Sequence, residues 1–183
     1  MFNIESVFDW KTALLVHGCR VALHTEFPTN ISLKKIHLYE HSNEKIDQPI
    51  PDDLLLPHQT IVRIRYRSNS PFILESAAIG YRIRNEKNSE YIPVELIDRP
   101  GFSELKVSEL PIPSICSFLG TDLLGIIPSN YCFYFQTKKQ CRFCEILPTF
   151  KNKVEFPKTF KSLDVIEKSI LTALQNEERL RFV

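Results

Sequence analysis

"LLGIIPSNYCFYFQTKKQCRFC" (residues 123–144) is the stretch on which the reading of this chain turns. It opens with an apolar run, Leu123 to Ile127, stopped by Pro128 and Ser129. That pattern fits a fully buried strand of a parallel sheet. Behind the run come three of the chain's five cysteines, Cys132, Cys141 and Cys144, within thirteen positions and among five aromatic side chains. No histidine follows Asn130. Three thiols therefore sit on a loop just past the carboxyl end of a strand, with no obvious fourth ligand.

Downstream, "LPTFKNKVEFPKTFK" (147–161) reads as a basic, aromatic loop. Between 138 and 161, Lys138, Lys139, Arg142, Lys151, Lys153, Lys158 and Lys161 face only two acids, Glu145 and Glu155. A solvated loop is the plainer reading of these charges, and attraction of a phosphate-rich partner is the sharper one. "SLDVIEKSILTALQNEER" (162–179) predicts a helix. Ser162 is its N-cap, Asp164 and Glu167 lie near the positive end of its dipole, and Arg179 lies near the negative end. Leu163, Val165, Ile166, Ile170, Leu171 and Leu174 fall close to a helical stripe. "LRFV" (180–183) then begins another apolar strand. Strand, cysteine loop, helix and strand make the opening of a βαβ unit. The other strands that would bury such a parallel pair are not in the sequence, so the expectation is the front part of a longer, truncated barrel.

Upstream, "DRPGFSELKVSELPIPS" (98–114) is a Pro- and Gly-bearing connector. It separates a β-rich N-terminal domain, 1–110, from the β-loop-α region, 111–183. In the first domain "QTIVRIRYRS" (59–68) alternates Val62, Ile64 and Tyr66 against Ile61, Arg63, Arg65 and Arg67, a half-buried strand with its arginines in water. "AAIGYRIRNEKNSEYIPVELID" (77–98) reads as two strands joined by a polar turn at Asn85 to Ser89. "TALLVHGCRVALHTE" (12–26) reads as one bent strand or a hairpin, and "QPIPDDLLLPHQ" (48–59), with three prolines, as a loop or short helical turn. Arg63, Arg65, Arg67, Arg82 and Arg84 can be drawn as a binding face, but a solvated sheet face is the simpler account. His17, His24, His37, His41 and His58 have no ligand spacing. Cys19 reads as a small buried hydrophobe. The expected fold class is therefore α+β: a β-rich domain, then the first β-loop-α unit of a truncated partial (β/α) barrel.

The totals set wide bounds. The chain has 183 residues, 43% of them apolar and 25% charged, with a formal net charge of +1. These are values of a globular protein with no overall field that demands nucleic acid or an anionic membrane. No apolar run approaches the roughly 20 residues that span a bilayer, and "MFNIESVFDWK" lacks the basic start and apolar core of a secretion signal. The expected location is the cytoplasm. Clustered cysteines in a reducing compartment bind metals or do chemistry more often than they form disulfides.

Cys132, Cys141 and Cys144 have the spacing C-x8-C-x2-C. A CxxC pair grips one metal or one cluster edge, and an eight-residue loop returns the third thiolate at modest closure cost. Structural zinc wants four ligands, so a zinc site would need Cys116 from beyond the loop. A redox dithiol would leave Cys132 unused. A [4Fe–4S] cluster needs only three thiolates, with the fourth iron open to a small molecule.

"CFYFQTKKQCRFC", after an apolar strand and before a capped helix, resembles the cluster loop of the radical S-adenosylmethionine (radical SAM) enzymes. Phe143 matches the aromatic residue that commonly precedes the last cysteine of that motif. The commonest spacing in the family is C-x3-C-x2-C; the longer first gap marks a subgroup. The resemblance covers about residues 120 to 183. It implies that Cys132, Cys141 and Cys144 ligate a [4Fe–4S] cluster and that the open iron chelates S-adenosyl-L-methionine. Phe143 would lie near the adenine, and an external electron donor would reduce the cluster. It also implies a partial (β/α) barrel with its site at the carboxyl ends of the strands. The family's glycine-rich motif and later strands would lie beyond Val183, so the chain is expected to be catalytically incomplete, and no substrate is named. Two other readings stand beside it. One is a zinc-stabilised, non-enzymatic interaction module; the other is a nucleic-acid binder using the 138–161 segment.

Overall fold

The computed structural model describes residues 6–34, 49–129, 134, 139 and 160–183. It is a mixed α+β protein, rich in strands, with two long helices among the described residues. Contacts divide the chain between Arg99 and Pro100 into two compact units. Residues 100–110, expected in the N-terminal domain, instead supply Phe102, Leu105, Val107 and Leu110 to the second unit's core. The apolar residues just past Pro100 pack with the strands Cys116–Leu119 and Leu123–Ile126 and the helix Leu163–Asn176.

The first unit begins with α1 (Val7–His17). The segment 12–17, expected to be a strand, is the end of this helix. Its signals are at the ends: Ser6 Oγ accepts from Asp9 N at 3.2 Å, and Asp9 accepts from Ser6 N at 3.0 Å, a capping box. Gly18 terminates the helix at φ +69, donating its N–H to the Leu14 carbonyl at 2.8 Å. A Cβ at Gly18 would stand 2.6 Å from the Arg65 carbonyl oxygen, so only glycine fits. Trp10, Ala13 and Leu14 are buried while Phe8, Leu15 and Val16 are exposed. Apolar residues go round the helix, and no clean stripe betrays it.

The other elements of this unit are strands: β1 (Arg20–Val21), β2 (Leu33–Lys34), β3 (Ile50–Pro51), β4 (Asp53–Leu56), β5 (Thr60–Arg63), β6 (Phe72–Ser76), β7 (Tyr81–Asn85) and β8 (Tyr91–Leu96). Six of them form one sheet in the order β1-β6-β7-β8-β4-β5, with β1 parallel to β6 and every other pair antiparallel. The two ends of the sheet meet just outside the named strands. Cys19 N donates to the Arg65 carbonyl at 2.7 Å and the Cys19 carbonyl accepts from Arg67 N at 3.0 Å, bridging Tyr66 in parallel. The expected alternation at 61–67 is present: Val62 and Ile64 are buried, and Arg63, Arg65 and Arg67 are exposed. The expected hairpin at 77–98 is β7 and β8, in the register Arg82 with Pro93 and Arg84 with Tyr91. The proline-rich segment 48–59, expected to be loop, instead holds β3 and β4. Leu54 and Leu56 point inward, and Pro57–His58–Gln59 turn the chain into β5, with φ of 57 at His58 and 56 at Gln59. Trp10 meets Phe72 edge-on at 5.7 Å between ring centres, fixing α1 over the same core as Leu54, Val62, Leu74 and Ile83.

The second unit holds a short hairpin, β9 (Lys106–Val107) with β10 (Leu110–Pro111), a 3-10 turn (Ile112–Ser114), and a longer hairpin of β11 (Cys116–Leu119) with β12 (Leu123–Ile126). The helix α2 (Leu163–Asn176) completes it with a short return of chain. β12 carries most of the apolar run 123–127. Full burial in a parallel sheet is the sequence expectation for that run, but its neighbour along its whole length is the antiparallel β11. Leu124 is buried and Leu123 is exposed, because one face of a hairpin meets the core and the other does not. Past the helix, Phe182 bridges Leu123 in parallel, and Leu124 N donates to the Phe182 carbonyl at 3.0 Å.

Ser162 caps α2 as expected, its Oγ accepting from Val165 N at 3.3 Å. The inward face differs from the expected stripe. Ser169 and Ala173 are buried, with Val165, Ile166 and Ile170 packed beside the core, whereas Leu163, Leu171 and Leu174 are exposed. The helix stops at Asn176 because Glu177 is extended and turns its carboxylate back to the start of the unit. That carboxylate accepts from the Arg179 guanidinium at 2.7 and 2.8 Å, from Gly101 N at 2.9 Å and from Arg179 N at 3.1 Å. No described helix is long and apolar enough to cross a membrane.

Candidate metal centre

Cys132, Cys141, Cys144 and Phe143 lie outside the described residues. What the structure fixes is the frame that receives and returns the segment bearing them. β12 delivers the chain to Ile127, Pro128 and Ser129; Phe160 and Lys161 carry it into α2. These two stretches are side by side. Ser129 and Phe160 form an antiparallel bridge, and Lys161 N donates to the Pro128 carbonyl at 3.0 Å. The Lys161 ammonium donates to the Ile127 carbonyl at 2.7 Å. Ile127 N in turn donates to Ile115 O at 2.7 Å, extending the β11–β12 ladder to the point of departure.

By sequence, Lys161 is one of the charges of a solvated basic loop. In the structure it is buried, only 9% exposed, and burial pulls its pKa below the usual lysine value. Nothing local distinguishes it from Lys158. Its partner is a carbonyl 34 residues earlier, which no periodicity reveals. Lys139, from the same basic segment, is exposed, and its N–H donates to the Tyr134 carbonyl at 2.9 Å.

The other two cysteines are structural. Cys19 is buried in the first core, as its apolar surroundings indicate, and burial pushes its thiol up to about 12. Cys116 is fully buried at the head of β11, opposite Ile126, and burial pushes its thiol up to about 11 despite the Lys161 charge. Among the described residues no group of three or more His, Cys, Asp or Glu side chains is placed to hold a metal. The three thiols of the 130–146 stretch lie outside those described residues.

Three of the five arginines drawn as a binding face pair with acids of the same sheet, and Arg20 nearby pairs as well. Arg63 makes a two-pronged pair with Asp53, Arg82 and Arg84 share Glu75, and Arg20 meets Glu86. Arg82 also lies over the Tyr91 ring, 5.2 Å from its centre. Arg63, Arg82 and Arg84 are thus neutralised within the sheet, and Arg65 and Arg67 are exposed.

No protein-family model, curated protein or solved structure matches the chain.

Proposed function

We propose that this chain is the cluster- and S-adenosyl-L-methionine-binding part of a radical SAM enzyme. The observation that carries the proposal is the C-x8-C-x2-C set of Cys132, Cys141 and Cys144 between an apolar strand and a capped helix. The parallel bridge of Phe182 to Leu123 after the helix supports a β-loop-α-β connection, the repeating unit of a partial (β/α) barrel, with the cysteines on the loop past the strand's carboxyl end. The three thiolates would hold the [4Fe–4S] cluster, Phe143 would pack near the cofactor's adenine, and an external donor would supply the electron. The bound cluster and cofactor would supply radical chemistry; the protein's part is to position them and keep water away. The substrate would be a molecule carrying a hydrogen to be abstracted.

The test is anaerobic reconstitution with iron and sulfide of the wild type and of Cys144→Ala. The expected result is a brown protein with about four irons per chain, lost in the variant. A colourless wild type that retains about one zinc, released by chelators with loss of structure, would replace the reading with a zinc-stabilised interaction module.

A further inference from the structure

Helix α1 is apolar on two sides. Trp10, Ala13 and Leu14 pack into the core. Phe8, Leu15 and Val16 are 70%, 46% and 51% exposed. At 3.6 residues per turn these three fall within about 100° of one another, opposite the buried three, and Lys11 falls on their side. A helix that is apolar all round belongs inside a protein or against another apolar medium. Here one of its sides is open. At the helix's carboxyl end the chain turns at Gly18 and meets residues 65–67. Cys19 N donates to the Arg65 carbonyl at 2.7 Å, and Arg67 N donates to the Cys19 carbonyl at 3.0 Å. A Cβ at Gly18 would stand 2.9 Å from Arg67 Cγ, so the stem of Arg67 lies against the end of α1. Arg65 and Arg67 are exposed, and among the described residues neither guanidinium has a partner. Arg63, Arg82 and Arg84 all have acids. The two arginines of this set without an acid are therefore the two beside α1. The acid of the helix itself, Asp9, is occupied by the Ser6 N–H at 3.0 Å and the Ser6 hydroxyl at 2.7 Å.

We propose that the outward side of α1, with Arg65 and Arg67 at its end, is a docking surface for an anionic lipid bilayer. The helix lies along the membrane. Phe8, Leu15 and Val16 enter the boundary between headgroups and acyl chains, and Lys11, Arg65 and Arg67 meet the anionic headgroups. The charges and the shape select this partner. A fluid apolar layer accepts a convex helix and needs no matched groove. A nucleic acid would satisfy the arginines and leave the aliphatic side chains in water. A second copy of the chain, meeting this one across a two-fold axis, would set the same positive charges against each other. The inference stands on the first unit and is independent of the metal-binding reading.

The experiment mixes the full chain with vesicles of neutral phosphatidylcholine, alone or with about one-third anionic phosphatidylserine, and separates bound protein by flotation. Wild type should float with the anionic vesicles, far less with the neutral ones, and less as salt is raised. Arg65→Ala with Arg67→Ala should partition about thirtyfold more weakly, the scale of two basic residues at an anionic surface. Leu15→Gln with Val16→Gln keeps every charge and should partition about tenfold more weakly into the same vesicles. Lys106→Ala with Lys168→Ala removes the same charge from exposed positions in the second unit and should match wild type. Amide exchange in α1 reports whether each variant is folded; if the Leu15 and Val16 pair loses that protection, Phe8→Gln decides in its place. Wild type that floats with neither vesicle, or equally with both, overturns the proposal. A control pair that weakens as far as the arginine pair reduces the binding to overall charge and overturns it too. Undiminished binding by the Leu15 and Val16 pair means attraction without insertion, which also overturns it. A dimer in the absence of lipid, lost in that same pair, assigns the face to a second copy instead.

Discussion

In the first unit the ion pairs lie on the outside of the sheet, as Arg63 with Asp53 and Arg82 and Arg84 with Glu75. In the second unit, Lys161 and Glu177 are the buried charged side chains among the described residues, and each ties distant pieces of chain together. The first unit owes its shape to a continuous apolar interior under α1, and its charges decorate it. Among its described residues the second has a smaller interior and short strands, and two buried charges set where its chain segments cross. Surface pairs contribute little because water competes for them. A buried charge that loses its partner has nowhere to go.

The largest break in this comparison should come from Glu177→Ala. It removes the acceptor shared by the Gly101 N–H and the Arg179 guanidinium and should cost about 2 kcal/mol, since Arg179 is partly open to water. Amide exchange should show α2 and β11–β12 losing protection while β4 to β8 keep theirs; loss in both units alike would sink the comparison. Acid should act at the same place. The Arg179 hydrogen bonds, helped by the Gly101 N–H, hold the Glu177 carboxyl down at about 2 from an ordinary 4.5. Because the folded value is depressed, the stabilisation is complete above pH 4.5 and is lost as pH falls toward 2, at about 1.4 kcal/mol for each unit of the gap. The second unit should open first on acid titration, and Glu177→Gln should abolish that step.

Smaller effects belong to the first unit. Ser6→Ala removes one side of the capping box and should cost about 1 kcal/mol, read from the denaturation midpoint. A change below the error of that measurement would mean that packing of Trp10 and Leu14 alone holds α1. Arg63→Ala, at a half-exposed pair with Asp53, should cost no more than about 0.5 kcal/mol. A cost several times larger would mean that the outer charges of the first unit matter as much as the buried ones of the second.

The elements legible in the sequence are those whose signal is local. Alternation at 61–67 marks the arginine-bearing strand, the polar turn at 85–89 marks the β7–β8 hairpin, and Ser162 with the apolar residues after it marks α2. The misread segments have their signal elsewhere. Helix α1 is declared by Ser6, Asp9 and Gly18, while its middle is apolar on every side. β4 hides between prolines, and its Leu54 and Leu56 become a strand only through partners in β5 and β8. At the site, the clustering of three thiols is visible in their spacing, and they lie outside the described residues. The burial of Lys161 against Ile127 is a long-range event and leaves no trace in the sequence around it.

The hydrogen bond between Gly101 and Glu177 also sets an order of events at the ribosome. The first unit's sheet and helix use residues up to 99, so that unit can close as soon as they have left the exit tunnel, while later residues are still being joined. The second unit starts at Pro100 but cannot be completed until Glu177 has emerged to meet Gly101 and Phe182 has emerged to meet Leu123. Once the chain has passed Cys144, the thiols at 132, 141 and 144 have been synthesised while Lys161 has not yet met Ile127. A ribosome stalled between about residues 145 and 175 would therefore carry a finished first unit and an unfinished second one, and pulse proteolysis of such nascent chains should cut beyond Arg99 while sparing β4 to β8.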